Sequence, residues 1–369
     1  MKRREFLMSA AAAAGVASFR TGWAQGTSQA NQVKQSTLDR IAIMTLNFQR
    51  ILKVPDVPDS PERTLELFDI GEMLADRYGV HKVEFQHYHI ASTEPSYLKE
   101  LRGRLAKSKS RATQINLEFG NLNISAPQQR DRLMAIDLTK QWVDHAVLLG
   151  AQRVMINQGG PTHENKVNSI PTLKTMADYG KSKDIIVSVE TRGGGGGGRR
   201  GAGPGTAPAA PATTAPGAPP TAAPSTAPAT APGAPAATAP PVPPATAPAA
   251  TTTAQGAAPA AAAPAGPPPL TGPAAWTLLA EIIKGAGAYS NVDVGGAGAT
   301  SQEELHACLK MMFPMTANSM HTRVNTRWDL ATAIKYLEGE LKYKGLYTIE
   351  AGNGHEGTQP IYDVVVATL

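Results

Sequence analysis

Short runs of apolar and β-branched residues alternate along the chain with longer segments whose apolar positions recur every three or four residues. The short runs read as strands buried on both faces, and the longer segments as amphipathic helices. The pattern predicts strands over 40–47, 81–86, 112–118, 152–157 and 185–190, and again over 291–294, 317–323 and 346–350. It predicts helices over 60–78, 96–108 and 126–149, a fourth reaching about 181, and then 273–288, 301–313, 329–344 and 359–369. Ser60-Pro61-Glu62-Arg63 reads as the cap of the first helix, and Ser301 with Glu304 as a capping box. In the longest helix, Leu133, Ile136, Trp142, Ala146 and Leu149 fall roughly on one face. Eight strands alternating with eight helices over roughly 260 ordered residues is the arithmetic of an α/β (β/α)8 TIM barrel. A doubly wound open sheet also alternates, but it usually has fewer strands, and no Gly-rich phosphate turn follows the first strand.

The alternation breaks once. From Gly193 to Thr271 the chain is almost wholly Gly, Ala, Pro and Thr, and no charged residue occurs between Arg200 and Glu281. Such a stretch cannot bury enough apolar surface to offset its ordering entropy, and its glycines lack the collagen period. The expected organisation is therefore a barrel in two parts, 37–192 (strands 1–5) and 272–369 (strands 6–8), around a low-complexity disordered insert at 193–271.

The first 24 residues read differently again. Met1-Lys2-Arg3-Arg4-Glu5-Phe6-Leu7 opens like a twin-arginine export signal, an Ala-rich apolar run follows, and Gly22-Trp23-Ala24 supplies small residues for cleavage. The apolar run is too short to span a bilayer, so the expectation is a periplasmic or secreted protein with no membrane span after processing. The formal charge of +5 rests on 35 Lys and Arg against 30 Asp and Glu. Taking away the signal's four basic residues and one acid leaves 31 against 29, which makes no case for a nucleic-acid partner. The single Cys308 excludes an internal disulfide and sits in a helical pattern as a core thiol.

Candidate chemistry sits at strand ends. Ile185-Ile186-Val187-Ser188-Val189 runs into Glu190, and the later strands carry Asp293, His321 and Glu350. Asp293 to His321 is 28 residues and His321 to Glu350 is 29; Glu190 to Asp293 is 103, or 24 once the 79 residues of 193–271 are removed. The four groups thus recur about once per βα repeat, on adjacent strand ends around one rim. Three carboxylates and an imidazole make a mostly hard-oxygen set, suited to one divalent ion, Mn²⁺ before Mg²⁺ or Co²⁺. Each also has a plainer reading: Glu190 a solvated strand-end acid, Asp293 a turn former, His321 a mouth-lining polar residue, Glu350 a cap. Glu84, Asn157, Asn47, Glu118 and His355 lie at or near strand ends as pocket-lining candidates. His87 and His89 would line the same cup if their strand continued through them.

Ser188-Val189-Glu190, Asn291-Val292-Asp293-Val294-Gly295, Met320-His321 and Tyr347-Thr348-Ile349-Glu350 together resemble the xylose-isomerase-like TIM barrel superfamily. The closer likeness is to its sugar phosphate isomerase/epimerase family, over the chain from about Arg40 onward. The resemblance implies that Glu190, Asp293, His321 and Glu350 hold one divalent ion. It also implies that Glu190 and Glu350 handle protons on opposite sides of a carbohydrate substrate, and that Arg327 lies near the substrate oxygens. Asp293-Val294-Gly295-Gly296 stands where the family usually has Asp-Phe-Gly-Asn, and the histidine some epimerases carry just after the aspartate is absent. The expected activity is an exported, metal-dependent sugar isomerase or epimerase working through a stabilised enediolate. A lyase or dehydratase on a keto-sugar or glycoside, and a non-catalytic carbohydrate-binding surface protein, are the alternatives. The sequence leaves open whether the chain forms homo-oligomers.

Overall fold

A computed structural model describes residues 33–120, 122–157, 159–191, 270, 272–295 and 298–369. The twin-arginine segment and almost all of the Gly/Ala/Pro/Thr-rich stretch lie outside the described residues. Eight parallel strands close into a barrel in sequence order: β1 (Ile41–Met44), β2 (Lys82–Gln86), β3 (Arg111–Leu117), β4 (Arg153–Ile156), β5 (Ile186–Thr191), β6 (Tyr289–Asp293), β7 (Thr316–Thr322) and β8 (Leu346–Ile349). Pairing of Ile41 with Tyr347 and of Ile43 with Ile349 seals the ring. Helices α1 (Ile70–Tyr78), α2 (Pro95–Lys107), α3 (Gln129–Leu149), α4 (Lys166–Ser182), α5 (Gly272–Ala286), α6 (Gln302–Met312), α7 (Leu330–Gly339) and α8 (Gly354–Thr368) follow the strands in turn. None of the described helices is long and apolar enough to cross a membrane.

Period-two alternation along each strand separates two buried environments. Val83, Phe85, Ile115, Leu117, Val154, Ile156, Val187, Val189, Val292, Met320 and Ile349 join the apolar core. Most alternate positions are polar and also buried: Glu84, Gln86, Gln114, Asn116, Arg153, Ser188, Glu190, Asn291, Asp293, Ser319, His321 and Thr348, with Met44 and Met155 among the exceptions. Hydrogen bonds from Arg153 on β4 to Ala317 on β7, and between Glu84 on β2 and His321 on β7, cross the barrel and so identify this second set as its lumen. A lumen this rich in side-chain donors and acceptors departs from the branched aliphatic packing usual in such barrels.

Local signals account for most element ends. Ser301 Oγ accepts from Glu304 N at 3.2 Å, and the Glu304 carboxylate turns back to the Thr300 hydroxyl at 2.8 Å. Gly150, at φ 81°, closes α3 in the left-handed conformation that glycine adopts without penalty. Several expectations change, and the last helix begins at Gly354 rather than 359. The first helix begins at Ile70, not near Ser60, because Arg63 is drawn to the carbonyls of Leu52 (2.6 Å) and Gln49 (3.2 Å) and Leu65 bridges Leu52, which holds 60–66 as a loop. The seventh helix stops at Gly339, a turn early, and Tyr343 folds under it, buried, with its hydroxyl on Leu346 O at 2.8 Å. Leu133 is exposed; the inner face of α3 is Ala135, Ile136, Thr139, Trp142, Val143, Ala146 and Leu149. Cys308 is buried, and burial pushes its thiol up to about 11, as suits an inert core residue.

Candidate metal centre

The C-terminal ends of the strands build the site. Asp293 on β6 pairs in register with His321 on β7, and Glu350 follows directly on β8, its N–H donating to Thr322 O at 2.9 Å. Glu190 stands near the end of β5 beside Asn291. These registers aim the side chains inward, and His321 is where they meet. Its Nδ1 lies 3.1 Å from Glu190 Oε1 and 3.3 Å from Glu350 Oε2, and its Nε2 lies 2.6 Å from Glu84 Oε1. One ligand atom each from Glu190, His321 and Glu350 falls within 4.8 Å of the others. All three residues are buried, as is Glu84.

Asp293 is where the arrangement differs from the expected quartet: it is not among the residues gathered within that 4.8 Å group. Its carboxylate is engaged by Arg323, which contacts Oδ1 through Nε at 3.0 Å and Oδ2 through Nη2, while Nη1 reaches Glu350 Oε1 at 3.2 Å. Arg323 lies two residues beyond His321 and therefore on the same side of the chain. Space for it comes from Gly295, where a Cβ would overlap Arg323 Cγ. Arg327 is exposed, with its N–H on Asn325 Oδ1 at 2.8 Å. The guanidinium that the fold sets against the carboxylates is thus Arg323, which sequence reasoning missed.

Glu84 is placed more centrally than a pocket-lining residue. Its Oε1 accepts from Asn116 Nδ2 at 2.7 Å, Asn116 Oδ1 accepts from Gln114 Nε2 at 2.9 Å, and the same Oε1 faces His321 Nε2. A carboxylate on one imidazole nitrogen fixes the ring and leaves the other for an ion, the arrangement by which metal-binding histidines are commonly oriented. His87 and His89 do not point the same way, because residues 87–89 form a 3-10 turn and not extended strand. His87 packs on Phe119 and Trp142, with Nδ1 against Asn116 O and Glu118 N. His89 turns to Thr45 Oγ1 at 2.8 Å. Burial lowers them to about 4 and about 3, so both are neutral near pH 7. Asn157 donates to Glu118 Oε2 at 3.2 Å at the mouth. Tyr88 also belongs there, its pKa raised by burial and by the charges of Glu118 and Glu350. Asn47 ties β1 to the β8 end through Ile349 O, Thr358 Oγ1 and Ala351 N, and His355 packs on Phe48 with Nδ1 on Tyr78; both serve structure.

The residues present fit a divalent cation. Four carboxylates, Glu84, Glu190, Asp293 and Glu350, are at most 6 % exposed, and among the described residues His321 and Arg323 approach them as cations. Gathering four carboxylates away from water is expensive unless cations compensate them, and a divalent ion would supply such charge. Glu84 Oε2 is in addition buried with no hydrogen-bond partner. Burial would lower the pKa of His321, but the charge of Glu84 and the hydrogen bonds that Glu190, Glu350 and Glu84 accept from its ring outweigh it and set it well above 6.5. A raised folded pKa contributes stability that is complete below the unfolded value and is lost as pH rises through the folded one. In chelator, therefore, the melting temperature should fall as pH climbs from about 6.5 into the alkaline range. A melting temperature that rises over that interval would show that His321 is not held as an imidazolium.

No family profile matches this sequence, and no curated protein matches it. The closed eight-stranded barrel is shared with solved structures of low sequence identity. A D-tagatose 3-epimerase-like protein superposes with a TM-score of 0.54 at 12 % identity, over 89 % of this chain and 96 % of that one. A xylose isomerase domain protein from Planctomyces limnophilus gives 0.53 at 10 % identity, over 89 % and 96 %. A 3-keto-D-glucoside 4-epimerase from E. coli gives 0.53 at 7 % identity, over 89 % and 99 %.

Proposed function

We propose that this protein is an exported, divalent-metal-dependent sugar isomerase or epimerase that moves a proton at a carbon next to a carbonyl. The observation that carries this reading is the meeting of Glu190 and Glu350 at one nitrogen of His321, from strands three apart around the rim. Glu190, His321 and Glu350 would hold the ion, and Asp293 would join them were Arg323 to release its carboxylate. A bound divalent ion supplies Lewis acidity to adjacent hydroxyl and carbonyl oxygens, which acidifies the C–H between them. Hard oxygen donors favour Mn²⁺, with Mg²⁺ and Co²⁺ as alternatives.

Glu190 and Glu350 are the two bases, one taking the proton and the other returning one to the opposite face or the neighbouring carbon. Glu84 orients His321, and Arg323 holds Glu350 and balances its charge when the proton leaves. Tyr88, Glu118 and Asn157 edge the mouth and offer hydroxyl, carboxylate and amide contacts to sugar hydroxyls. The structures similar in fold include a D-tagatose 3-epimerase-like protein and a 3-keto-D-glucoside 4-epimerase, which supports an unphosphorylated carbohydrate as substrate. Export, carried by the Arg3-Arg4 start, supports the same choice.

The test is solvent deuterium exchange on Mn²⁺-loaded protein against a panel of keto-sugars and glycosides. Deuterium entering one carbon-bound position, with no loss of water or aglycone, is the expected result. Elimination products would make the protein a lyase on the same centre, and no exchange on any sugar would leave a binding protein.

A further inference from the structure

The opposite end of the barrel has chemistry of its own. Strands β2, β3 and β4 each open on a cation, Lys82, Arg111 and Arg153, and the register sets Lys82 beside Arg111. With Lys344 and Gln152 these three line a recess of about 300 Å³ at the N-terminal strand ends, where Asp39 is the single acid. Asp39 offsets little: it is 3.5 Å from Lys82 Nζ, and its side chain is 60 % exposed. Lys344 shares Glu338 at 3.4 Å and is otherwise in solvent.

Arg153 is the decisive group. It is only 8 % exposed, its Nε donates to Ala317 O at 2.8 Å, and its Nη1 is buried with no hydrogen-bond partner. A guanidinium carries five donors and keeps its charge, so leaving it unpaired at low exposure is costly. Arg40 shows how this fold treats an arginine whose task is structural: both terminal nitrogens meet Glu338 at 2.7 Å. Nothing comparable is given to Arg153. Glu84 acts on it at a distance but is committed to His321 and Asn116. Burial, with the charge of Arg111 added, lowers the pKa of Arg153 despite Tyr343 and Glu84. Lys82 is lowered too, by burial first and by Arg111, against the pull of Asp39. Three cations thus repel one another around a cavity that one exposed aspartate cannot balance.

We propose that this recess binds a tetrahedral oxyanion, inorganic phosphate or the phosphate group of a small metabolite, with Arg153 and Lys82 at its floor and Arg111 and Lys344 at its rim. Planar guanidinium forks and an ammonium are the donors suited to phosphate oxygens. The site is separate from the metal centre and does not depend on the reaction proposed there. Its effect is on stability, since an anion bound only by the folded chain raises the melting temperature in step with its concentration.

The experiment is thermal unfolding of the full chain titrated with inorganic phosphate, and in parallel with glycerol phosphate, against potassium chloride of equal ionic strength. A saturable rise with phosphate beyond the chloride effect is expected. Arg111→Gln, at an exposed position that leaves folding intact, should weaken it about tenfold. Arg153→Met should abolish it, and if that variant fails to fold, Lys344→Gln supplies the second reading at the rim. A larger response to glycerol phosphate identifies a metabolite, and an equal one free phosphate. The proposal is overturned if chloride reproduces the rise, or if Arg111→Gln and Lys344→Gln bind phosphate as the unmodified chain does.

Discussion

Glu190→Gln should leave a folded barrel whose turnover has dropped by about a thousandfold, within the range that a positioned general base contributes. The substitution keeps the size of the side chain and one carbonyl oxygen toward His321 Nδ1, but removes the negative charge and the proton-accepting capacity. Glu190 is 1 % exposed, and its Oε1 is one of the two carboxylate oxygens closest to that nitrogen. Wash-in of solvent deuterium should fall by the same factor as turnover, because both need the same proton transfer. Circular dichroism separates this outcome from unfolding. Full turnover in the variant would remove Glu190 from the chemistry.

Arg323→Met has its largest effect on the metal-free protein. The guanidinium spans Asp293 and Glu350, at side-chain exposures of 19 % for Arg323, 0 % for Asp293 and 8 % for Glu350. Removing it takes a cation away from a cup of buried carboxylates, and breaking such a buried pair typically costs about 3–5 kcal/mol. The variant should therefore unfold at markedly lower urea in chelator than the unmodified chain. Added Mn²⁺ should recover most of the difference, since a divalent charge can replace what the guanidinium supplied. Equal loss with and without metal would mean that Arg323 and the ion do not share a site.

The outline of the fold was legible because each strand is a short apolar run and each helix a three-to-four-residue rhythm, and parallel barrels obey both. The once-per-repeat spacing of Glu190, His321 and Glu350 was legible for the same reason: neighbouring strand ends must share a rim. What escaped lies across the barrel or in local geometry. Glu84 and His321 sit on strands 237 residues apart and meet only because the sheet closes. Arg323 could have been found from its position two beyond His321, which puts it on the same face, but the family pattern drew attention to Arg327. His87 and His89 would share a face only if the second strand ran on through them, and a 3-10 turn sends them apart. The loop at 60–66 looked helical because nothing local reveals that Arg63 is needed by the carbonyls of Gln49 and Leu52.

The proposed function rests on one cation seated between Glu190, His321 and Glu350, and elemental analysis of the purified protein tests that directly. After loading with Mn²⁺ and exhaustive dialysis, the unmodified chain should retain one ion per molecule, and a His321→Gln variant of the same fold should retain none. A chain that comes out of dialysis metal-free, or a His321→Gln variant that keeps its ion, would contradict the account.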